Sequence, residues 1–199
     1  YPEIKENQLK VIYNGVNEIY EPITNKDEIK LKKLIQFSSG EFVLYIGDRK
    51  ATYKNFNLAV SACKISKLPI VMVGGALSKA ENKLLNEALG ENNFKLLKGI
   101  SNNQLNLIYN HALCLLYPSI YEGFGIPVIE AQRAGCPVIT STFSSLSEIS
   151  GKGAFLLSEL TDLHISDALN ELKRNSTLTV NLKKEGFLNS QRFSWNQCY

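Results

Sequence analysis

The sequence predicts an α/β fold, a doubly wound parallel sheet with helices on both faces. Two observations carry this. Short, continuously apolar runs alternate with longer segments of helical period at least six times along the 199 residues. Several of those runs also close on glycine or proline, as strands do when they hand over to a loop. A strand apolar at every residue must be covered on both faces, which is the condition of a parallel sheet; a half-exposed strand would alternate. Composition sets the outer limits. At 44% hydrophobic the chain can bury a substantial core and is most simply one domain. Its 22 basic and 19 acidic residues leave a net charge of +3, too mild and too dispersed for a nucleic-acid stripe. No apolar run reaches membrane-spanning length.

In order, residues 1–25 read as a lead-in: Lys10-Val-Ile-Tyr13 as a short strand, Asn14-Gly-Val-Asn17 as a turn, then Glu21-Pro22 before a polar stretch. Asp27 to Phe37 puts Ile29, Leu31, Leu34 and Ile35 on one helical face, with lysines opposite. Glu41 to Ile46 is the first core strand and ends in Gly47. The cationic loop Asp48 to Phe56 then opens a helix from Asn55 to Lys67. Pro69 to Val73 is the second strand, closed by Gly74-Gly75, which marks a tight turn or a backbone that a base or ribose approaches. Ser78 to Leu89 is the next helix, Phe94 to Leu97 the third strand, and Ser101 caps a helix running to Ala112. Ala112 to Tyr117 is the fourth strand and Cys136 to Thr140 the fifth. Ser144 to Ile149 is a short capped segment and Ala154 to Leu157 the last strand. Ser166 to Arg174 and Leu178 to Ser190 follow as amphipathic helices.

The stretch Tyr117 to Gly135 concentrates the chemistry. Pro118 ends the strand, Gly123 and Gly125 free the backbone, Pro127 suits a first helical turn, and Gly135 is the expected stop. Glu122 and Glu130 therefore bracket a helix N-terminus, whose N–H groups and dipole favour an anion, while carboxylates accept hydrogen bonds from hydroxyls. That combination suits a diphosphate sugar. Taken alone, Glu130 reads better as a residue that merely complements the helix dipole. Arg49 and Lys54 lie in the loop after the first strand, at the sheet's carboxyl edge, where open α/β sheets bind ligands; taken alone they could equally be a solvated basic loop.

Embedded in Pro-Ser-x-x-Glu-Gly-Phe-Gly-x-Pro-x-x-Glu-Ala, with seven residues between the two Glu, this stretch resembles the retaining glycosyltransferases of the GT-B fold, the group 1 or family 4-like enzymes. The resemblance spans residues 10–195, and it implies one half of a GT-B fold, a Rossmann-like parallel sheet that binds the donor. It implies that Glu122 contacts the transferred sugar and Glu130 the ribose, and that Gly123, Phe124 and Gly125 line the sugar and phosphates. Gly47-x-Arg49, followed five positions later by Lys54, resembles the pair that holds the donor diphosphate. Gly99 and Ile100 correspond to main chain that meets the nucleobase; Gly47 and Gly74, from the reading of the strand ends, join them as candidate donor-binding residues. Arg49, Lys54 and Glu122 are the implied catalytic residues.

The implied activity is transfer of a hexose from a nucleotide-diphosphate sugar, with retention and without a metal or other cofactor, in bacterial-type polysaccharide or glycoconjugate synthesis. The implied organisation is a lead-in over 1–25 and a donor domain over 26–199. An N-terminal acceptor domain is absent from this chain, so the piece is expected not to transfer sugar alone, and any membrane contact falls to that domain. A non-hydrolysing sugar-nucleotide epimerase of the same fold and a noncatalytic binding module are the rivals. The first wants further acid/base groups, and the second would have lost one of Arg49, Lys54, Glu122 or Glu130. Leu156-Leu-Ser-Glu-Leu departs from the family pattern, so a rearranged turn is expected there. Arg192-Phe-Ser-Trp195 matches the family's ending, with Trp195 a packing anchor. Cys63, Cys114, Cys136 and Cys198 lack metal-ligand spacing and read as free thiols of a reducing compartment, cytoplasmic or peripheral at an inner membrane face. His111 and His164 read as structural.

Overall fold

A computed structural model describes residues 9–24 and 28–197. Six parallel strands, β1 (Val43–Ile46), β2 (Ile70–Val73), β3 (Phe94–Leu97), β4 (Cys114–Tyr117), β5 (Val138–Ser141) and β6 (Phe155–Leu157), form one sheet in the order β3-β2-β1-β4-β5-β6. The helices are α1 (Glu28–Leu34), α2 (Phe56–Ser66), α3 (Lys79–Leu89), α4 (Asn102–His111), α5 (Ile126–Arg133), α6 (Leu146–Ser150), α7 (Asp162–Arg174) and α8 (Ser176–Ser190).

The pleat sorts each apolar run between two cores. Leu44, Val71 and Leu115 join Leu31, Ile108, Ile129 and Leu146 on the face covered by α1, α4, α5 and α6. Their neighbours Val43, Tyr45, Ile70, Met72, Cys114 and Leu116 join Ala59, Leu85 and Leu169 on the face of α2, α3 and α7. This is why β1, β2 and β4 had to be apolar throughout, whereas the edge strand β3 can carry the exposed Lys95. Strand order reverses between β1 and β4, so the loops that follow them part and leave a crevice at the carboxyl edge.

The two ends of the described chain are tied into the first of these cores. Val16 and Tyr20 are buried, and Val16 N donates to Phe193 O at 3.1 Å. Asn106 and Asn110, both buried on α4, stitch the lead-in down: Glu21 N donates to Asn106 Oδ1 (3.2 Å), Ile23 N to Asn110 Oδ1 (2.8 Å), and Asn110 Nδ2 to Glu21 O (2.9 Å).

Several boundaries differ from expectation. Lys10 to Tyr13 forms no strand; Val11 is 73% and Ile12 59% exposed, because an apolar run makes a strand only where a neighbour completes its ladder. Tyr13 instead packs on the rings of Phe124 and Phe193. The segment read as Asp27 to Phe37 is helical only over Glu28–Leu34, and Asp27 lies outside the described residues. Helix α7 begins at Asp162 rather than Ser166, since the Thr161 hydroxyl caps it by accepting from His164 N at 3.1 Å. Helix α8 begins at Ser176 because Asn175 caps it in the same way. The anchor of the C-terminal segment is Phe193, 1% exposed; Trp195 is 49% exposed, and its backbone crosses Gly15 so closely that a Cβ there would lie 2.3 Å from Trp195 N.

Cys63, Cys114 and Cys136 are buried, and burial pushes the Cys63 thiol up to about 12; Cys198 lies outside the described residues. His111 is buried at the end of α4, and His164 stands 3.6 Å from Glu159 on the surface. Among the described residues no helix is long and apolar enough to cross a membrane.

Candidate functional site

The loops after β1 and β4 meet across the crevice and lock each other. Asn55, held in the left-handed region at φ 52°, donates from Nδ2 to Pro118 O at 2.8 Å, and Ile120 N donates to Tyr53 O at 2.9 Å. A 3₁₀ turn over Thr52–Lys54 then aims Lys54 back into the crevice. Its Nζ lies 2.7 Å from Glu122 Oε1 and 3.3 Å from the Tyr117 hydroxyl, with both charged side chains about one-seventh exposed (14% and 13%). Burial, and then the Glu122 charge, push the Tyr117 phenol far above its ordinary value, so it stays a neutral hydroxyl. Gly47, at φ 149°, supplies the slot: a Cβ there would meet Lys54 Cδ at 3.0 Å.

Arg49 sits beside this pair and is anchored on one side. Its Nε donates to Glu81 Oε1 at 2.8 Å, and its Nη2 to Gly75 O (2.7 Å) and Ala76 O (3.0 Å). The side chain is only 4% exposed, and among the described residues no hydrogen bond falls on Nη1. Gly74, at φ 156°, makes way for the guanidinium: a Cβ there would lie 3.2 Å from Nη1. Glu81 is also half of the capping box of α3, Ser78 N donating to its Oε2 at 2.6 Å and Glu81 N donating to Ser78 Oγ at 3.2 Å. Burial would raise the Glu81 carboxyl, but the Ser78 hydrogen bonds and the Arg49 charge outweigh it and hold the group below the usual carboxylate value. Sequence reasoning missed Glu81. The Ser-x-x-Glu spacing announced the capping box, but nothing local announced that Arg49 would arrive from 32 residues away.

Gly123, Phe124 and Gly125 run from Glu122 into α5. Gly125, at φ 105°, is the N-cap, and no side chain caps this helix, so its dipole end faces the crevice bare. Ser144 and Ser145, ahead of α6, hold the loop: Ser144 Oγ and Ser145 Oγ donate to Glu122 O at 2.8 and 2.9 Å, and Ser145 Oγ also reaches Phe124 O at 3.1 Å. The Phe124 ring packs against Tyr13 and Phe193, which leaves backbone to line the crevice.

Glu130 lies one turn into α5 and accepts a hydrogen bond from the Tyr109 hydroxyl at 3.0 Å, with the Tyr20 hydroxyl directed at the same carboxylate. Burial raises its pKa, opposed by those two hydroxyls. Gly99, at φ 59°, and Ile100 stand between β3 and α4, two strands out from β1 along the same edge, and a Cβ on Gly99 would meet nothing within 4 Å. The structure thus gathers Gly47, Lys54 and Glu122 at the switch point, with Arg49 and Gly74 alongside; Glu130 sits deeper, and Gly99 and Ile100 lie at the outer end. Among the described residues, no three of His, Cys, Asp and Glu converge as metal ligands. A groove of about 630 Å³ between Ile19, α1 and the first turn of α4 is separate from these groups.

A sequence model of the family described as Glycosyl transferases group 1 matches residues 26–188. Over 167 residues the chain is 28% identical to O-antigen chain mannosyltransferase B of Escherichia coli, covering 79% of this chain and 43% of that protein. The chain therefore spans less than half of this curated relative. Among solved structures, it is similar to the C-terminal domain of a glycosyl transferase group 1 protein, LpcC, from Francisella tularensis, with a TM-score of 0.74 and 21% identity, over 89% of this chain and 97% of that one. It is also similar to Anabaena HepE, solved in complex with UDP, with a TM-score of 0.79 and 20% identity, over 96% of this chain and 55% of that one. The fold is the Rossmann-like C-terminal half of a GT-B protein.

Proposed function

This chain belongs to the glycosyl transferases group 1 family, and we propose that it is the donor-binding half of a hexosyltransferase that uses a nucleotide-diphosphate sugar and retains anomeric configuration. The observation that carries this reading is the 2.7 Å contact between Lys54 and Glu122 at the switch point of the sheet, a cation and a hydrogen-bond acceptor side by side beneath an uncapped helix N-terminus. A nucleotide sugar offers both counterparts: a diphosphate for Lys54, for the free Nη1 of Arg49 and for the α5 amides, and hydroxyls for Glu122. Glu130 accepts from the ribose, and the Gly99 and Ile100 backbone meets the base. As the bond from the anomeric carbon to the diphosphate breaks, charge grows on the leaving oxygen. Lys54, Arg49 and the helix end are already in position to stabilise it. The acceptor oxygen bonds the same carbon, and its proton leaves with the diphosphate.

The UDP complex of the Anabaena neighbour supports a nucleoside diphosphate as the ligand, and the name of the Escherichia coli relative makes mannose the first sugar to test. Polysaccharide assembly is the corresponding pathway class, and we assign acceptor binding to a partner domain outside residues 26–199.

The test is calorimetric titration of the chain with UDP, GDP, UDP-glucose, GDP-mannose, uridine and guanosine. One diphosphate series should bind, with its nucleoside at least tenfold weaker, since charged hydrogen bonds contribute about 1.5–3 kcal/mol each. Equal affinity for nucleoside and diphosphate would remove the phosphate role.

A further inference from the structure

Glu130 is not simply an acidic residue in a helix. It is a carboxylate flanked by two tyrosines from different parts of the chain. Tyr109, from α4, is fully buried and its hydroxyl donates to Glu130 Oε2 at 3.0 Å. Tyr20, from the lead-in, is 2% exposed, and its hydroxyl stands near enough to Glu130 for the carboxylate to help raise the phenol's pKa. The two rings meet edge to face, with centroids 5.8 Å apart at 81°. Phenylalanine would fill the same apolar space without bringing hydroxyls that need partners when buried. Tyr109 bonds this carboxylate, and the Tyr20 hydroxyl stands beside it.

An ionised carboxylate has about four acceptor positions. With one occupied by the Tyr109 hydroxyl and another faced by that of Tyr20, the remainder suits two more donors, the number a vicinal diol presents. The tyrosines also fix the plane of the carboxylate. Burial holds both phenols protonated far above neutral pH, so they act as constant donors. The placing of Tyr20 is fixed by the residues that follow it, Glu21 and Ile23, which are stitched to Asn106 and Asn110 on the helix that carries Tyr109.

We propose that Tyr20 and Tyr109 are positioning residues for ribose recognition, orienting Glu130 so that its free acceptor sites match the 2′ and 3′ hydroxyls of a nucleotide. The lead-in segment, through Tyr20, is then part of the nucleotide site. This rests on the reading of Glu130 as the ribose contact.

The experiment measures the affinity of the chain for UDP and GDP, each against its 2′-deoxy counterpart, in wild type, Tyr20→Phe, Tyr109→Phe, the double variant and Glu130→Gln. Wild type should prefer the ribonucleotide roughly tenfold or more. Each tyrosine variant should lose several-fold of that preference while keeping its affinity for the deoxynucleotide, and the double variant should approach Glu130→Gln. A merely structural role would weaken ribo and deoxy ligands together, and that result overturns the proposal. If Glu130→Gln abolishes the preference and both single tyrosine variants keep it, the proposal fails while the ribose reading stands. If Glu130→Gln keeps the preference, or wild type binds neither diphosphate, the underlying reading fails and takes the proposal with it. Should the double variant not fold, Tyr20→Phe alone decides, since it changes one hydroxyl.

Discussion

Replacing Lys54 by Met tests whether the charges at the switch point act as a pair. The change keeps most of the side chain's stem against Gly47 and removes the ammonium 2.7 Å from Glu122 Oε1. Breaking a fully buried pair from one side costs about 3–5 kcal/mol. Here both partners keep some solvent, at 14% and 13% exposure, and Glu122 can turn toward water. The penalty should therefore fall in the range of about 1–3 kcal/mol that applies to one unsatisfied buried group. For a domain of this size each kcal/mol lowers Tm by roughly 2–4 °C. Glu122→Gln keeps an acceptor for Lys54 and should cost less.

The deciding quantity is the coupling. Lys54→Met combined with Glu122→Gln removes both charges and should be less destabilised than the sum of the single variants, by about 0.5–3 kcal/mol, read from urea melts followed by circular dichroism. In the same set, Lys54→Met should weaken UDP or GDP by about 10- to 100-fold and leave the nucleoside unchanged. Additivity within about 0.5 kcal/mol, with unchanged diphosphate affinity, would refute both the pairing and the phosphate role.

Further outcomes follow from the same geometry. Glu122→Ala releases Lys54 from its partner, so the variant should bind the free diphosphate at least as tightly as wild type and the nucleotide sugar more weakly, by calorimetry. Gly47→Ala places a Cβ 3.0 Å from Lys54 Cδ on a backbone at φ 149°, and should cost about 1–3 kcal/mol in stability together with diphosphate affinity. Gly153→Ala sets a Cβ 2.3 Å from the Gly186 Cα; backbone cannot step aside, so α8 must shift, and the loss in a urea melt should reach or exceed about 3 kcal/mol. Burial raises Glu130, so on acidification its carboxylate should be lost above the ordinary carboxylate range, and the preference for ribo- over deoxyribonucleotide should fade there first. A raised folded-state pKa means that the folded chain holds this proton more tightly than the unfolded one. The resulting contribution to stability is fully present below the ordinary value and lost as pH rises through the raised one, so binding should decline before the fold does.

What could be read from the sequence was what is local. The run Val-Leu-Tyr-Ile before Gly47 and the proline after Tyr117 marked strand ends, because burial on both faces and a missing N–H are written in the residues themselves. The carboxyl-edge position of Arg49, Lys54 and Glu122 followed from strand, loop and helix succeeding one another. Lys10 to Tyr13 misled for the same reason, since a β-branched pair gives no sign of whether a neighbouring strand exists. Thr161 was not read as a cap, although its hydroxyl accepts from His164 N at 3.1 Å and starts α7 four residues before the expected Ser166. The partners of the site were the illegible part. Glu81, Tyr20 and Tyr109 lie 32, 110 and 21 residues from the side chains they hold, and only the closed sheet brings them together.

Those partners change what the site selects. Two free cations at a sheet edge would bind any phosphate, and inorganic phosphate would compete with every sugar donor. Here Arg49 is already paired with Glu81, and Lys54 with Glu122. A bare diphosphate that draws Lys54 away leaves Glu122 in the crevice without a donor, and an unsatisfied charged group of that kind costs about 1–3 kcal/mol or more. A diphosphate that carries a sugar brings a hydroxyl to the carboxylate as it takes the ammonium, so both halves of the pair exchange partners and neither is left bare. Arg49 differs in kind: Glu81 is bound into the cap of α3 and stays, so the guanidinium keeps a fixed orientation and offers only Nη1. On the proposed reading, then, Arg49 supplies a rigid reference point and Lys54 with Glu122 supplies the discrimination between a nucleotide sugar and the nucleotide it leaves behind.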